Sequence, residues 1–314
     1  MSFEPKKQTF NSKINAVTVG TGDKAVVFGG TNVLPFYTFD GPIENKPKIG
    51  IELTDAGMAM CTTEGMKAFY EGCTTIADMA KKASTQEGVS FIALHLEGAD
   101  PNGENKSVEE CVELAKSVAD ATDLPIVVMG CKNAEKDADL FGKVSEALAG
   151  KNILVMSAVE DNYKTVGASA GLAYNQKVGA ETAVDINLAK QLNTVLTQLG
   201  VNDQAIVMNA GSSAVGYGFE YLASTLDRIK AAALQQGDAQ LQMPIITPVS
   251  PETWGVKEST ALEEEMPEWG SLDERAIEME IATASACLAG GSDAVIMRHP
   301  AAIHTISQMI DALV

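Results

Sequence analysis

Short apolar runs alternate along this chain with longer stretches of helical period. The runs are Lys48 to Leu53, Phe91 to Leu96, Pro125 to Met129, Ile153 to Met156, Thr182 to Ile186, Ala205 to Met208, Pro244 to Ile246 and Ala294 to Met297. Apolar runs of this length between segments of 3.6 period mark parallel βαβ units. Eight of them, in the ~250 residues that such a series takes, predict an α/β fold, a closed (β/α)8 TIM barrel over residues 48–314. Residues 1–47 read as a separate N-terminal extension. In it Ala16–Val19 and Lys24–Phe28 flank the Gly20-Thr21-Gly22-Asp23 turn of a β-hairpin. Placed before the first barrel strand, the hairpin is expected to plug the barrel floor.

Helix signals agree with the series. Ser107-Val108-Glu109-Glu110 is a capping box that opens a helix through Ala119. Helices are expected over Ala134–Leu148, Asn187–Leu199, Phe219–Gln236, Leu272–Leu288 and Ala301–Leu313, several of them stopped by glycine. The connection Ser250–Ser271 is longer than the others and holds both tryptophans, Trp254 and Trp269, with six glutamates. A long ordered loop with tryptophan predicts a lid or a partner surface.

Composition narrows the function. A net charge of −19 argues against a nucleic-acid partner. No apolar run reaches the ~20 residues of a membrane span. The polar start MSFEPKKQTF lacks a signal-peptide core, which points to the cytoplasm. The five cysteines form no CxxC pair, and only three histidines exist, so neither a cluster nor a multi-histidine metal site is expected.

Barrels keep their chemistry where the strands end. The polar residues there are Glu52 and Asp55; His95 and Glu97, which a period of two would turn into the barrel together; Ser157, Glu160 and Asn162; Asp185 and Asn187; Asn209; Thr247; and Arg298-His299. No lysine stands at a strand end, which argues against Schiff-base chemistry. Glu52, Glu97 and Asp185 could hold a metal. The loop Asn209 to Gly218 is rich in glycine and small residues, so a flat ligand could approach its backbone closely.

Several segments together resemble a known family. They are Lys48-Ile49-Gly50-Ile51-Glu52, Ala93-Leu94-His95-Leu96-Glu97-Gly98, Val207-Met208-Asn209-Ala210-Gly211, Val215-Gly216-Tyr217-Gly218-Phe219-Glu220-Tyr221 and the acidic tryptophan loop. The family is the small subunit of the corrinoid/iron–sulfur protein of the anaerobic acetyl-CoA (Wood–Ljungdahl) pathway. The likeness runs along essentially the whole chain, and its barrel is also similar to that of pterin-binding methyltransferases.

The resemblance implies a non-catalytic subunit paired with a larger one that carries a [4Fe-4S] cluster and a cobalamin-binding domain. The corrinoid would lie between that domain and this barrel's mouth. Methyl would arrive from methyltetrahydrofolate through a separate methyltransferase and leave to acetyl-CoA synthase. Neither a cluster-binding cysteine set nor an Asp-x-His-x-x-Gly cobalamin motif stands in this chain, in agreement with that division of labour. Asn209, Ser212, Ser213, Tyr217 and Thr247 are the residues expected near the corrinoid, chosen from loop position. The alternatives are a free-standing pterin-dependent methyltransferase, whose likeness implies that Asp185, Asn187 and Asn209 hydrogen-bond a pterin ring, and a metal-dependent lyase using Glu52, Glu97 and Asp185.

Overall fold

Eight parallel strands close around the alternate residues that point inward. The computed structural model describes residues 6–314. The barrel strands are β3 (Lys48–Thr54), β4 (Val89–His95), β5 (Ile126–Met129), β6 (Leu154–Ala158), β7 (Lys177–Glu181), β8 (Ile206–Asn209), β9 (Ile246–Pro248) and β10 (Ala294–Met297). They pair in the order β8-β7-β6-β5-β4-β3-β10-β9, and a parallel bridge from Met208 to Ile245 joins the two ends. The hairpin strands β1 (Ala16–Val19) and β2 (Val26–Gly29) pair antiparallel before them. The longer helices are α3 (Val108–Ala121), α4 (Ala134–Ala147), α6 (Ile186–Leu199), α7 (Phe219–Gln235), α10 (Leu272–Gly290) and α11 (Pro300–Leu313). Short helices α1 (Glu64–Phe69), α2 (Ile76–Ala83), α5 (Tyr163–Val166), α8 (Ser250–Thr253) and α9 (Lys257–Thr260) complete the ring. Among the described residues no helix is long and apolar enough to cross a membrane.

The helix signals act as read. Ser107 and Glu110 exchange the reciprocal capping-box bonds at the start of α3, and Gly200 ends α6 in the left-handed region. One strand lies elsewhere than expected. The stretch Thr182–Asp185 is loop and Ile186 already opens α6; the strand this run stood for is Lys177–Glu181, five residues upstream. Val184 turns there at φ 49, and Asp185 caps α6 by accepting from the Asn187 and Leu188 amides. The true strand contains lysine, glycine and glutamate and so lacks an apolar run. Gly179 packs closely in it, since a Cβ there would meet Met156 Cγ at 3.0 Å and the Val155 carbonyl oxygen at 3.1 Å.

Two cores divide the interior. The larger lies between strands and helices. The smaller fills the barrel, where Phe91, Ala93, Val127, Leu154, Val207, Ile246 and Ile296 meet Val17, Val19, Val26 and Phe28 of the hairpin. Phe28 and Phe91 pack edge to face at 5.5 Å. Gly50 makes room for them, because a Cβ there would lie 2.0 Å from the Phe91 ring. The hairpin closes the N-terminal end: Gly20 donates to the Asn152 carbonyl, and Asn15 to that of Gln242, both just ahead of barrel strands. The C-terminal end stays open.

Candidate functional site

The inward series that is apolar at the floor turns ionic at the mouth. On β3, Glu52 follows Gly50 with the strand period and is fully buried. Its Oε1 lies 2.8 Å from His95 Nδ1, and its Oε2 accepts from Arg298 Nε at 2.9 Å and from the terminal guanidinium nitrogen at 2.8 Å. Burial alone would raise the Glu52 pKa. The Arg298 guanidinium and the His95 imidazole outweigh burial and hold it at about 2. Burial likewise opposes a charge on His95, yet its bond to Glu52 pushes that pKa up.

A second buried carboxylate, Glu280 of α10, braces the same strand end. Its oxygens accept from Trp254 Nε1 at 3.0 Å, the Arg298 amide at 2.6 Å and the His299 amide at 2.9 Å. Complete burial nevertheless pushes Glu280 up to about 7. His299 accepts from the Ala301 amide and caps α11, and its ring stacks on Trp254. Trp254 is therefore a buried strut between the acidic loop and β10, which corrects its assignment to a partner surface. Trp269 does lie exposed at the far side of that loop, with Arg275 over its ring.

Above this network lies a cavity of about 160 Å³, lined among others by His95, Asp137, Ser157, Glu181, Asn209 and Ser212. A wider groove of about 620 Å³ adjoins it along Lys132, Val159, Glu181 and Ser212. Asn209 spends its Oδ1 on the Gly211 amide. Ser157 Oγ is buried with no hydrogen-bond partner. Asp137 accepts from the Cys131 amide and thiol, and burial raises its pKa. Gly130 permits this, since a Cβ there would lie 2.3 Å from Asp137 Oδ1.

The residues expected near a corrinoid are only partly brought together. Asn209 and Ser212 line the cavity, and the Ser212 hydroxyl donates to Glu252. Ser213 and the exposed Tyr217 line neither the cavity nor the groove: Ser213 donates to the Tyr217 carbonyl, and the Tyr217 hydroxyl donates to Glu258. Thr247 does not belong with them. Ile246 and Pro248 point inward, so Thr247 faces outward, and its buried hydroxyl pairs with Ser292 Oγ at 2.7 Å. Glu97 is likewise corrected. The strand ends at His95, and Glu97 lies exposed in a following 3₁₀ turn. Glu52, Glu97 and Asp185 thus do not converge, and among the described residues no group of three or more His, Cys, Asp or Glu is placed to hold a metal. Asp185 and Asn187 at the start of α6 do not join Asn209 in a pterin-binding set either.

Asp137, Glu181 and Glu280 were not singled out by the sequence. Asp137 sits in the first turn of a helix rather than at a strand end. Glu181 ends the strand whose position was misread. For Glu280 a signal exists, an acid on the helix face that also buries Ala276, Thr283 and Ala284.

Comparison with known proteins decides the family. Residues 16–309 match the model described as CO dehydrogenase/acetyl-CoA synthase delta subunit. The chain belongs to that family. It is 31% identical to the acetyl-CoA decarbonylase/synthase complex delta subunit of Archaeoglobus fulgidus, over 99% of this chain and 71% of that protein. It is also 31% identical to the delta subunit of Methanothermobacter thermautotrophicus, over 98% and 77%. This delta subunit is the counterpart of the corrinoid/iron–sulfur small subunit that the sequence resembles. Among solved structures, the dihydropteroate synthase of Xanthomonas albilineans with 4-aminobenzoic acid superposes with a TM-score of 0.58 at 12% identity, covering 95% of this chain and 98% of that one. The enzyme from Vibrio fischeri gives 0.57 at 12%. At that identity the likeness concerns the delta-subunit barrel alone.

Proposed function

We propose that this delta-family chain is the small, non-catalytic half of a methyl carrier, its barrel mouth covering a cobalt corrinoid borne by a larger subunit. Methyl would arrive from methyltetrahydrofolate through a methyltransferase and leave to acetyl-CoA synthase, in the cytoplasm. The [4Fe-4S] cluster belongs, on this reading, to the larger subunit.

The observation that carries the reading is family membership joined to a mouth whose strongest charges are spent on each other. Glu52 neutralises Arg298 and pairs with His95, and Glu280 is committed to three N–H donors. The fit to a bound group rests on Ser157, whose buried hydroxyl lacks a partner, and on the small-residue loop after Asn209. When bound, the corrinoid supplies the cobalt that takes and gives up methyl. Asn209 and Ser212 would position its edge from the cavity wall, with Ser213 and Tyr217 shielding from outside the cavity.

A free-standing pterin-dependent methyltransferase is not favoured, because the relatives are named as subunits of a complex and the acid and amide pair at α6 stays outside the cavity. Purification of the chain from a native extract under mild conditions tests the proposal. The expected product contains a larger polypeptide and shows corrinoid and iron–sulfur absorbance. A colourless chain with no such companion would refute it.

A further inference from the structure

We infer that the mouth cavity receives a primary carboxamide arm of the corrinoid and discriminates against a carboxylate in its place. This rests on the carrier reading above. At about 160 Å³ the cavity has room for an amide side arm but not for a macrocycle, whose ring must stay outside over the small-residue loop. Its polar groups are the donors of Ser157 and Asn209, the His95 imidazole held by Glu52, and the carboxylates of Glu181 and Asp137. Ser157 is 7% exposed, and its hydroxyl has no partner in the protein. Asn209 is 3% exposed and has spent its oxygen on the Gly211 amide, which leaves its nitrogen to donate. The half-buried Glu181 carboxylate lines both the cavity and the adjoining groove and serves as the acceptor. Lys132, on the rim, is already turned to Glu252 at 3.7 Å.

A planar group with a carbonyl on one side and N–H donors on the other satisfies Ser157, Asn209 and Glu181. The carbonyl takes the Ser157 and Asn209 donors, and the amide N–H answers Glu181. A carboxylate has no hydrogen for Glu181 and places a like charge beside it, with Asp137 next to both. Corrinoids carry primary carboxamide arms around the ring, so the match is to the cofactor's edge and not to its metal.

The test uses the complex of this chain with its corrinoid-bearing partner, stripped and reloaded either with hydroxocobalamin or with its mono-acids, in which one propionamide arm at a time is hydrolysed. Corrinoid retention is read by absorbance after dialysis. One mono-acid is expected to be held about tenfold more weakly than the full amide. Glu181→Gln should narrow that deficit, and Ser157→Ala should weaken the amide form. Circular dichroism checks that both variants are folded. Equal retention of every mono-acid, or a deficit unchanged by Glu181→Gln, overturns the inference and leaves the carrier reading standing. Failure to hold hydroxocobalamin at all overturns the carrier reading and the inference with it.

Discussion

At the floor of the barrel Phe28 and Phe91 meet edge to face over a glycine, whereas four residues further along β4 His95 meets Glu52. The floor is dry and filled to the point where one added carbon at Gly50 collides. The mouth holds buried charges, a cavity and an unpartnered hydroxyl. Close packing is what stabilises a barrel, and incomplete satisfaction is what leaves it able to bind. The difference locates function at one end and stability at the other.

That division can be broken most severely at the ion pair. Arg298→Met leaves the Glu52 carboxylate buried with only His95, and should cost about 3–5 kcal/mol in urea denaturation. It should also weaken corrinoid retention, since Glu52 loses its guanidinium partner and Glu52 is what holds His95 at the cavity wall. Phe28→Ala should cost a similar ~3–5 kcal/mol through the cavity it leaves at the floor. The folded fraction of that variant should hold corrinoid normally. If both variants lost retention equally, floor and mouth would not be separable.

The two buried acids sharpen the comparison through pH. Glu52 is held at about 2, below its ordinary 4.5, so its stability is present above 4.5 and lost as pH falls toward 2. Glu280 is pushed to about 7, so its share is full below 4.5 and lost as pH rises through 7. The shift corresponds to ~3 kcal/mol at full ionisation. Melting temperatures measured between pH 4.5 and 7.5 should therefore fall for the wild type, and Glu280→Gln should flatten that slope. A smaller effect is expected at Gly50→Ala, about 1–3 kcal/mol from overpacking against Phe91, relieved when Phe91→Leu is added.

The rhythm of apolar runs made the barrel legible because parallel strands buried on both sides must be apolar. It failed at β7, where a lysine, a glycine and a glutamate occupy five residues, and the more apolar Thr182–Ile186 beside it is a loop running into the first residue of α6. The same dependence on local pattern explains the site. His95 was visible because its inward face follows Ala93. Glu97 was carried along by a period that stops where the backbone turns at Leu96. The bond between Glu52 and Arg298 spans 246 residues, and nothing in local sequence announces it. Trp254 showed its type but not its direction, which Glu280 sets from another helix.

The most direct measurement compares corrinoid retention and methyl-transfer rate of the corrinoid-bearing large subunit alone with those of its complex with this chain. The large subunit alone is expected to lose corrinoid on dialysis and to transfer methyl slowly, with both restored when the chain is added. Full retention and full rate in its absence would contradict a role for this barrel mouth in holding the cofactor.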